Sequence, residues 1–118
     1  MKIKWDPKAR ASFRQVARYV NTKFGRKARQ EFMKRVKDTE NLIRQSPNVG
    51  PIDPLFASHA ATYRSIIING LNKMVYRVDD DVIYIVAFWD TRMEPNEQRD
   101  QTIARNESDE SRERSTEG

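Results

Sequence analysis

Cysteine is absent from this 118-residue sequence, and histidine occurs once, as His59. The lack of thiols excludes disulfide bonds and thiolate chemistry, and it fits a reducing cytoplasm. Carboxylates are the remaining metal ligands, but the run Asp79-Asp80-Asp81 is more economically explained as a solvated turn. We therefore expect no metal ion and no other cofactor. His59 could act as a general base, but no neighbouring motif marks it as one.

Long apolar runs are absent as well. No stretch approaches the ~20 apolar residues of a membrane helix, and the opening MKIKWDPKAR lacks the apolar core of a signal peptide. The four glycines form no phosphate-binding loop and no dinucleotide fingerprint, and the sequence contains no nucleophile elbow. These absences predict a cytoplasmic protein without membrane contact.

Charge is divided unevenly along the chain. Residues 1–95 carry 18 Lys and Arg against 10 Asp and Glu, whereas residues 96–118 carry 4 against 7. A basic domain attracts nucleic acid or an acidic protein partner, although a solvated basic surface has the same composition. The last segment contains one large apolar residue, Ile103, so we expect a folded domain over 1–95 and a disordered tail over 96–118.

Three consecutive strands are predicted in the second half of the domain, over 62–69, 73–78 and 82–91, where β-branched and aromatic residues concentrate. Gly70 favours a turn after the first strand, and the three aspartates favour a turn after the second. An antiparallel meander follows from this pattern. The alternating residues at 2–5 predict a fourth strand at the edge of the sheet.

Two amphipathic helices are predicted before the meander, because apolar residues recur every three or four positions. Asp6-Pro7 is a helix start, Gly25 ends the first helix, and the second covers 27–45 before Ser46-Pro47. The first apolar stripe comprises Ala9, Phe13, Val16, Ala17, Val20 and Phe24, and the second comprises Ala28, Phe32, Val36, Thr39 and Ile43, widened by Met33 and Leu42. The predicted fold class is α+β in the order β-α-α-β-β-β, with the helical hairpin packed on a curved, mainly antiparallel four-stranded sheet.

Segment 48–61 contains Gly50, Pro51 and Pro54 and is predicted to be irregular. Leu55 and Phe56 are expected to pin it to the core.

In this order and at this length, the pieces resemble the RelE/ParE superfamily, the toxin halves of bacterial type II toxin–antitoxin pairs. The resemblance covers residues 1–95. It rests on Trp5, Arg18-Tyr19-Val20, Phe24-Gly25, Ala28 with Phe32 and Val36, the stretch SPNVG at 46–50, Tyr63-Arg64, the stretch MVYRVDD at 74–80, Trp89-Asp90-Thr91-Arg92 and Glu94-Pro95. It implies a cognate antitoxin, and either of two activities. RelE-like members cleave messenger RNA on the ribosome, whereas ParE-like members bind and poison DNA gyrase.

The candidate site follows from what the nuclease would need. Cations must neutralise charge that develops on the attacked phosphate, and another group must move protons. Arg64, Lys73 and Arg92 are the candidate catalytic residues, without a metal. An even-numbered turn at 69–72 would pair Arg64 with Arg77 and place Lys73 on the same, exposed sheet face, with Arg92 at its rim. These cations could instead only fringe the sheet.

A second group of basic residues lies on the first helix, where Arg10, Arg14 and Arg18 are spaced four residues apart. This ladder could meet phosphates or an acidic peptide, although a solvated helix face is the simpler interpretation. The candidate residues for nucleic-acid or target binding are therefore Arg64, Lys73, Arg77, Arg92, Arg10, Arg14 and Arg18.

The sequence favours the ParE-like branch. RelE-like ribonucleases that resemble this chain commonly place a Tyr or a His-Tyr pair just after the last strand, but 93–98 here is MEPNEQ. Ile66 occupies a position resembling an upstream basic residue, and Glu94 is more simply an ion-pair partner of Arg92 than a proton-transfer group. The alternatives are a ribosome-dependent endoribonuclease and a non-toxic nucleic-acid-binding relative. The oligomeric state stays open.

Overall fold

The computed structural model describes residues 1–56 and 60–90, and within them the elements follow the predicted order. They are β1 (Lys2–Trp5), α1 (Pro7–Phe24), α2 (Arg26–Gln45), a short 3-10 turn (Pro54–Phe56), β2 (Arg64–Ile68), β3 (Asn72–Asp79) and β4 (Val82–Asp90). The four strands form one sheet in the order β1-β4-β3-β2, with β1 parallel to β4 and the other pairs antiparallel. The α+β prediction is confirmed. His59, Arg92, Glu94 and the 96–118 tail lie outside the described residues.

The helical hairpin begins and turns as its sequence predicts. The Asp6 carboxylate accepts the N–H groups of Lys8 and Ala9 at 2.9 and 3.3 Å, so it caps the amides that α1 leaves unpaired, and Pro7 is the first helical residue. Gly25 has φ 98°, a left-handed conformation that glycine adopts without strain, and α2 begins directly after it. Phe24 departs from the prediction, because its side chain is exposed.

The main core lies between the hairpin and one face of the sheet. Phe13 of α1 contacts Trp5 and Phe88 with ring centroids 5.4 and 5.6 Å apart, and Phe32 of α2 closes the aromatic cluster. Aliphatic side chains complete this core: Ala17, Val36, Ile43, Ile68, Met74, Ile83 and Ile85. Burial of these side chains provides the apolar free energy that holds the helices on the sheet.

The opposite face of the sheet carries a second apolar cluster. The sheet contributes Val75, Val86, Ala87 and Trp89, and the segment before β2 covers them with Leu55, Phe56 and Tyr63. A bulge explains how β4 supplies two adjacent residues, because Val75 pairs with Ala87 and Tyr76 with Ile85, which leaves Val86 as the extra residue. The expected role of Leu55 and Phe56 is confirmed, whereas the expectation of an exposed cationic sheet face is wrong.

The turn between β2 and β3 has three residues, not an even number. Ile68 pairs with Asn72, and Asn69 and Gly70 both have positive φ, 58° and 71°. Asparagine tolerates this left-handed conformation better than most residues, and the Arg35 side chain of α2 donates to the Asn69 side chain. The predicted pairing of Arg64 with Arg77 is therefore wrong by one position.

Candidate functional site

The observed register distributes the predicted basic residues over both faces of the sheet. Arg64 pairs with Tyr76, whose ring lies in the core under the helices, so Arg64 shares the helix-packed side. Lys73 pairs with Ile67 on the other side, and Arg77 lies four residues further along that side of β3. A one-residue change of register moves a side chain to the opposite face, so Arg64 and Lys73 do not share a face.

Tyr76 organises the segment that follows α2. Its buried hydroxyl donates to the Pro47 carbonyl at 2.7 Å and accepts the Gly50 N–H at 3.0 Å. Gly50 packs so closely that a Cβ there would lie 2.9 Å from the Tyr76 ring and hydroxyl, shorter than atoms tolerate. Glycine at this position thus allows the loop to approach β3, and Tyr76 anchors it.

The Tyr76 phenol is kept neutral by its surroundings. Burial raises the pKa of this tyrosine above the ordinary 10.0, and the Gly50 N–H and the nearby positive charge of Arg64 only partly offset that effect. A neutral phenol can donate and accept at once, which both of its hydrogen bonds require. Ionisation would remove the donor to Pro47.

Arg64 is held by the same loop. Its Nη1 donates to the Gly50 carbonyl at 2.9 Å and lies 3.4 Å from the Asn48 carbonyl. Among residues 1–56 and 60–90, no carboxylate oxygen lies within 4.0 Å of the Arg64 guanidinium, the distance that defines an ion pair. Neutral carbonyls orient Arg64 without neutralising it, so its positive charge is available to an incoming anion.

Arg77 is the second arginine at this end of the sheet, and its side chain lies on the face of β3 opposite to Arg64. It lies over the Tyr84 ring, 4.6 Å from the centroid, and its Nη1 is 3.5 Å from an Asp79 carboxylate oxygen. A cavity of about 190 Å³ opens where β2 begins, lined by Asn48, Thr62, Arg64, Arg77 and Val78. The structure therefore brings Arg64 and Arg77 together at a cavity at the end of the sheet, rather than as a cross-strand pair.

Lys73 is engaged elsewhere. Its ammonium lies 2.9 Å from a carboxylate oxygen of Asp53, and both side chains are nearly buried, with 13% and 3% of their areas exposed. The other Asp53 oxygen accepts the Leu55 N–H at 3.0 Å. A buried, paired ammonium contributes little positive field at the surface, so Lys73 fastens the 51–56 segment to β3.

The arginine ladder of α1 faces solvent. Arg10, Arg14 and Arg18 are all exposed, and the Arg10 guanidinium lies 5.9 Å from the centroid of the Trp5 ring. None of these three arginines lines the cavity that Arg64 and Arg77 line at the start of β2. Of the described helices, none has the length and apolarity needed to span a membrane. The described segments contain no group of three metal-ligating His, Cys, Asp or Glu side chains.

Two residues that shape this region carried no signal in the sequence. Asp53 stands between prolines in a segment predicted only to be irregular, and its partner is 20 positions away. Tyr76 belongs to an alternating strand pattern, and nothing in that pattern distinguishes a packing tyrosine from one that anchors a loop. Both roles depend on contacts between segments far apart in sequence.

Comparison with known protein families gives one match over most of the chain. The model for the ParE toxin of type II toxin–antitoxin systems, parDE, matches residues 3–95. The sequence matches none of the curated proteins with which it was compared. The family match spans every described helix and strand apart from the first residue of β1.

Proposed function

The chain belongs to the ParE toxin family of type II toxin–antitoxin systems, and on this premise we propose that it inhibits growth by poisoning DNA gyrase. The observation that favours gyrase poisoning over a nuclease is the buried ion pair of Lys73 with Asp53. A nuclease site needs exposed cations around the attacked phosphate, and this pairing withdraws one of the three candidate residues. A toxin that acts by binding its target has no such requirement.

A ribosome-dependent endoribonuclease is the second candidate. One observation favours it, because Arg64 and Arg77 line a single cavity and could together neutralise a phosphate. Arg92 would complete a basic site at the end of the last strand. Tyr76 is poorly suited to move protons there, because burial raises its pKa and its hydroxyl is already engaged by Pro47 and Gly50.

Membership of the family implies a cognate antitoxin as partner. We place its docking at the outer edge of β2, the last strand of the sheet. The first part of this edge is covered, since Ser65 N–H donates to the Pro51 carbonyl at 3.1 Å. Ile67 lies two residues after Ser65, and its main chain faces the same outer edge of β2. No described segment pairs with Ile67 at this edge, and its side chain is exposed. An added strand with an apolar side chain fits this edge.

The charge of the chain supports an acidic partner. Residues 1–95, which we take as the toxin domain, have 8 more basic than acidic residues, so an antitoxin segment rich in carboxylates would be attracted over the whole surface. We assign residues 96–118 to a separate charged tail. The proposed target, DNA gyrase, and the proposed partner both place the protein in the cytoplasm.

Induced expression in a bacterial host tests the proposal against both alternatives. Gyrase poisoning predicts filamentous cells, induced DNA repair and intact messenger RNA in the same culture. Loss of translated messages with cuts inside codons would instead establish the nuclease. Unaffected growth would reject both toxic activities and favour a non-toxic relative that binds nucleic acid, for which Arg10, Arg14 and Arg18 are the candidate contacts.

A further inference from the structure

The cavity at the start of β2 has the features of a built anion site. Two arginines line it, and the guanidinium of each is oriented by contacts that do not depend on a ligand. The Arg64 guanidinium is held by the carbonyls of Gly50 and Asn48, and the Arg77 guanidinium, with 10% of its side chain exposed, lies over the Tyr84 ring and 3.5 Å from Asp79. The conformational entropy of these long side chains is therefore already reduced before an anion arrives. Asn48 and Thr62, both of which carry hydrogen-bonding groups, line the same cavity.

The charged residues near the cavity favour a single protein carboxylate over the phosphates of a nucleic acid. Asp79, Asp80 and Asp81 are all exposed at the turn that follows Val78, and Asp79 pairs with Arg77. The remaining carboxylates repel a polyanion, in which every neighbouring phosphate carries charge. A peptide with one carboxylate meets less of this repulsion, because its neighbouring residues carry no charge.

Exposed apolar side chains point to the same class of ligand. Val78 lines the cavity and is 38% exposed, and Val49, next to the cavity residue Asn48, is 42% exposed. Neither would gain from contact with a sugar-phosphate chain, whereas both can pack against the apolar neighbours of an acidic residue in a peptide.

From this combination we infer that the Arg64–Arg77 cavity binds the carboxylate of a Glu or Asp side chain in an extended peptide segment with apolar neighbours. The planar guanidinium suits two parallel N–H donors to one carboxylate. Within the proposed function this segment belongs to the antitoxin, and the inference rests on that function only for the identity of the partner. The cavity lies at the start of β2, and the open part of the β2 edge lies further along the same strand, at Ile67.

The test uses the full-length, ¹⁵N-labelled chain and three defined probes. Acetyl-Ile-Glu-Val-amide carries the carboxylate, acetyl-Ile-Gln-Val-amide is its neutral match, and thymidylyl-thymidine supplies one phosphodiester. We expect the Glu peptide to shift the Arg64 and Arg77 side-chain N–H signals and the Gly50 amide in a saturable way, with an affinity at least about tenfold higher than that of the Gln peptide. Equal effects of both peptides, or no shift at all, would overturn the site.

Variants separate the site from the general basic surface. Arg64→Gln should lose the preference for the Glu peptide, whereas Arg10→Gln, which removes an equal charge from α1, should keep it. Tighter binding of thymidylyl-thymidine than of the Glu peptide would reassign the cavity to nucleic acid. These measurements involve neither gyrase nor cell growth, so their failure leaves the proposed toxicity standing, and a non-toxic chain would leave the peptide site standing.

Discussion

The Tyr76 hydroxyl joins β3 to the loop after α2 through its hydrogen bonds to Gly50 and Pro47, and a substitution by phenylalanine removes both bonds. Phenylalanine fits the same space, so Tyr76→Phe leaves the core packing in place. The Gly50 N–H and the Pro47 carbonyl lose their partner, and Gly50 is buried while Pro47 is half-buried. An unsatisfied buried polar group costs about 1–3 kcal/mol, and water can reach the Pro47 side, so we expect a loss of about 2–3 kcal/mol in the free energy of unfolding.

This loss is large beside the total stability of a small domain, about 5–15 kcal/mol. For a folded part of this size it corresponds to a fall in Tm of about 10–20 °C. Urea unfolding followed by tryptophan fluorescence measures it, and the slope with urea should stay unchanged because the exposed surface is the same. Tyr19→Phe is the matched control, since its hydroxyl accepts only an exposed hydrogen bond from Lys23, and it should change stability by less than about 0.5 kcal/mol.

The pH dependence adds a second, independent readout. The pKa of Tyr76 is raised in the folded chain, so below the unfolded value of 10.0 the phenol is neutral in both states and its contribution is complete. Above pH 10 the unfolded chain ionises first, and the stability difference between wild type and Tyr76→Phe should shrink. Equal stability of the two proteins at neutral pH, or a difference that grows above pH 10, would refute the anchoring role.

Four further predictions concern other parts of the chain. Lys73→Met leaves the nearly buried Asp53 carboxylate unpaired and should cost about 3–5 kcal/mol in urea unfolding, whereas Lys34→Met breaks only an exposed pair and should be nearly neutral. Gly50→Ala should cost about 1–3 kcal/mol, because the new methyl group would overlap Tyr76, and unchanged stability would contradict the close approach. Deleting 96–118 should leave cooperative unfolding intact, which calorimetry can check. Arg92→Ala should relieve growth inhibition at matched expression if the basic residues contact the target, and full toxicity would remove Arg92 from the mechanism.

The elements of the fold could be predicted because their signals are local. Asp6-Pro7 and Gly25 mark the ends of α1 through capping groups that act within a few residues, and the apolar spacing identifies the face of each helix. Gly70 predicted a turn through an equally local signal, because glycine adopts positive φ without strain. The composition of each strand was sufficient to order the meander.

The number of residues in the turn between β2 and β3 could not be predicted from composition. The predicted pairing of Arg64 with Arg77 depended on that number. Asn69 adopts positive φ as well as Gly70, which gives a three-residue loop and moves Arg64 to the helix-packed side. The ion pair of Lys73 with Asp53 was equally hidden, because it joins an irregular segment to a strand through tertiary packing. The sequence predicted both Arg64 and Arg77 as site residues. They line one cavity at the end of the sheet rather than pairing across strands, and the sequence did not predict that arrangement.

Purified components provide the direct test of whether this ParE-family chain poisons DNA gyrase. The full-length protein is incubated with gyrase, ATP and relaxed plasmid, and the DNA is analysed after protein denaturation and proteolysis. Gyrase poisoning predicts loss of supercoiling and accumulation of linear DNA in proportion to the toxin. Unimpaired supercoiling with no linear DNA, at a toxin concentration that cleaves messenger RNA on purified ribosomes, would contradict it.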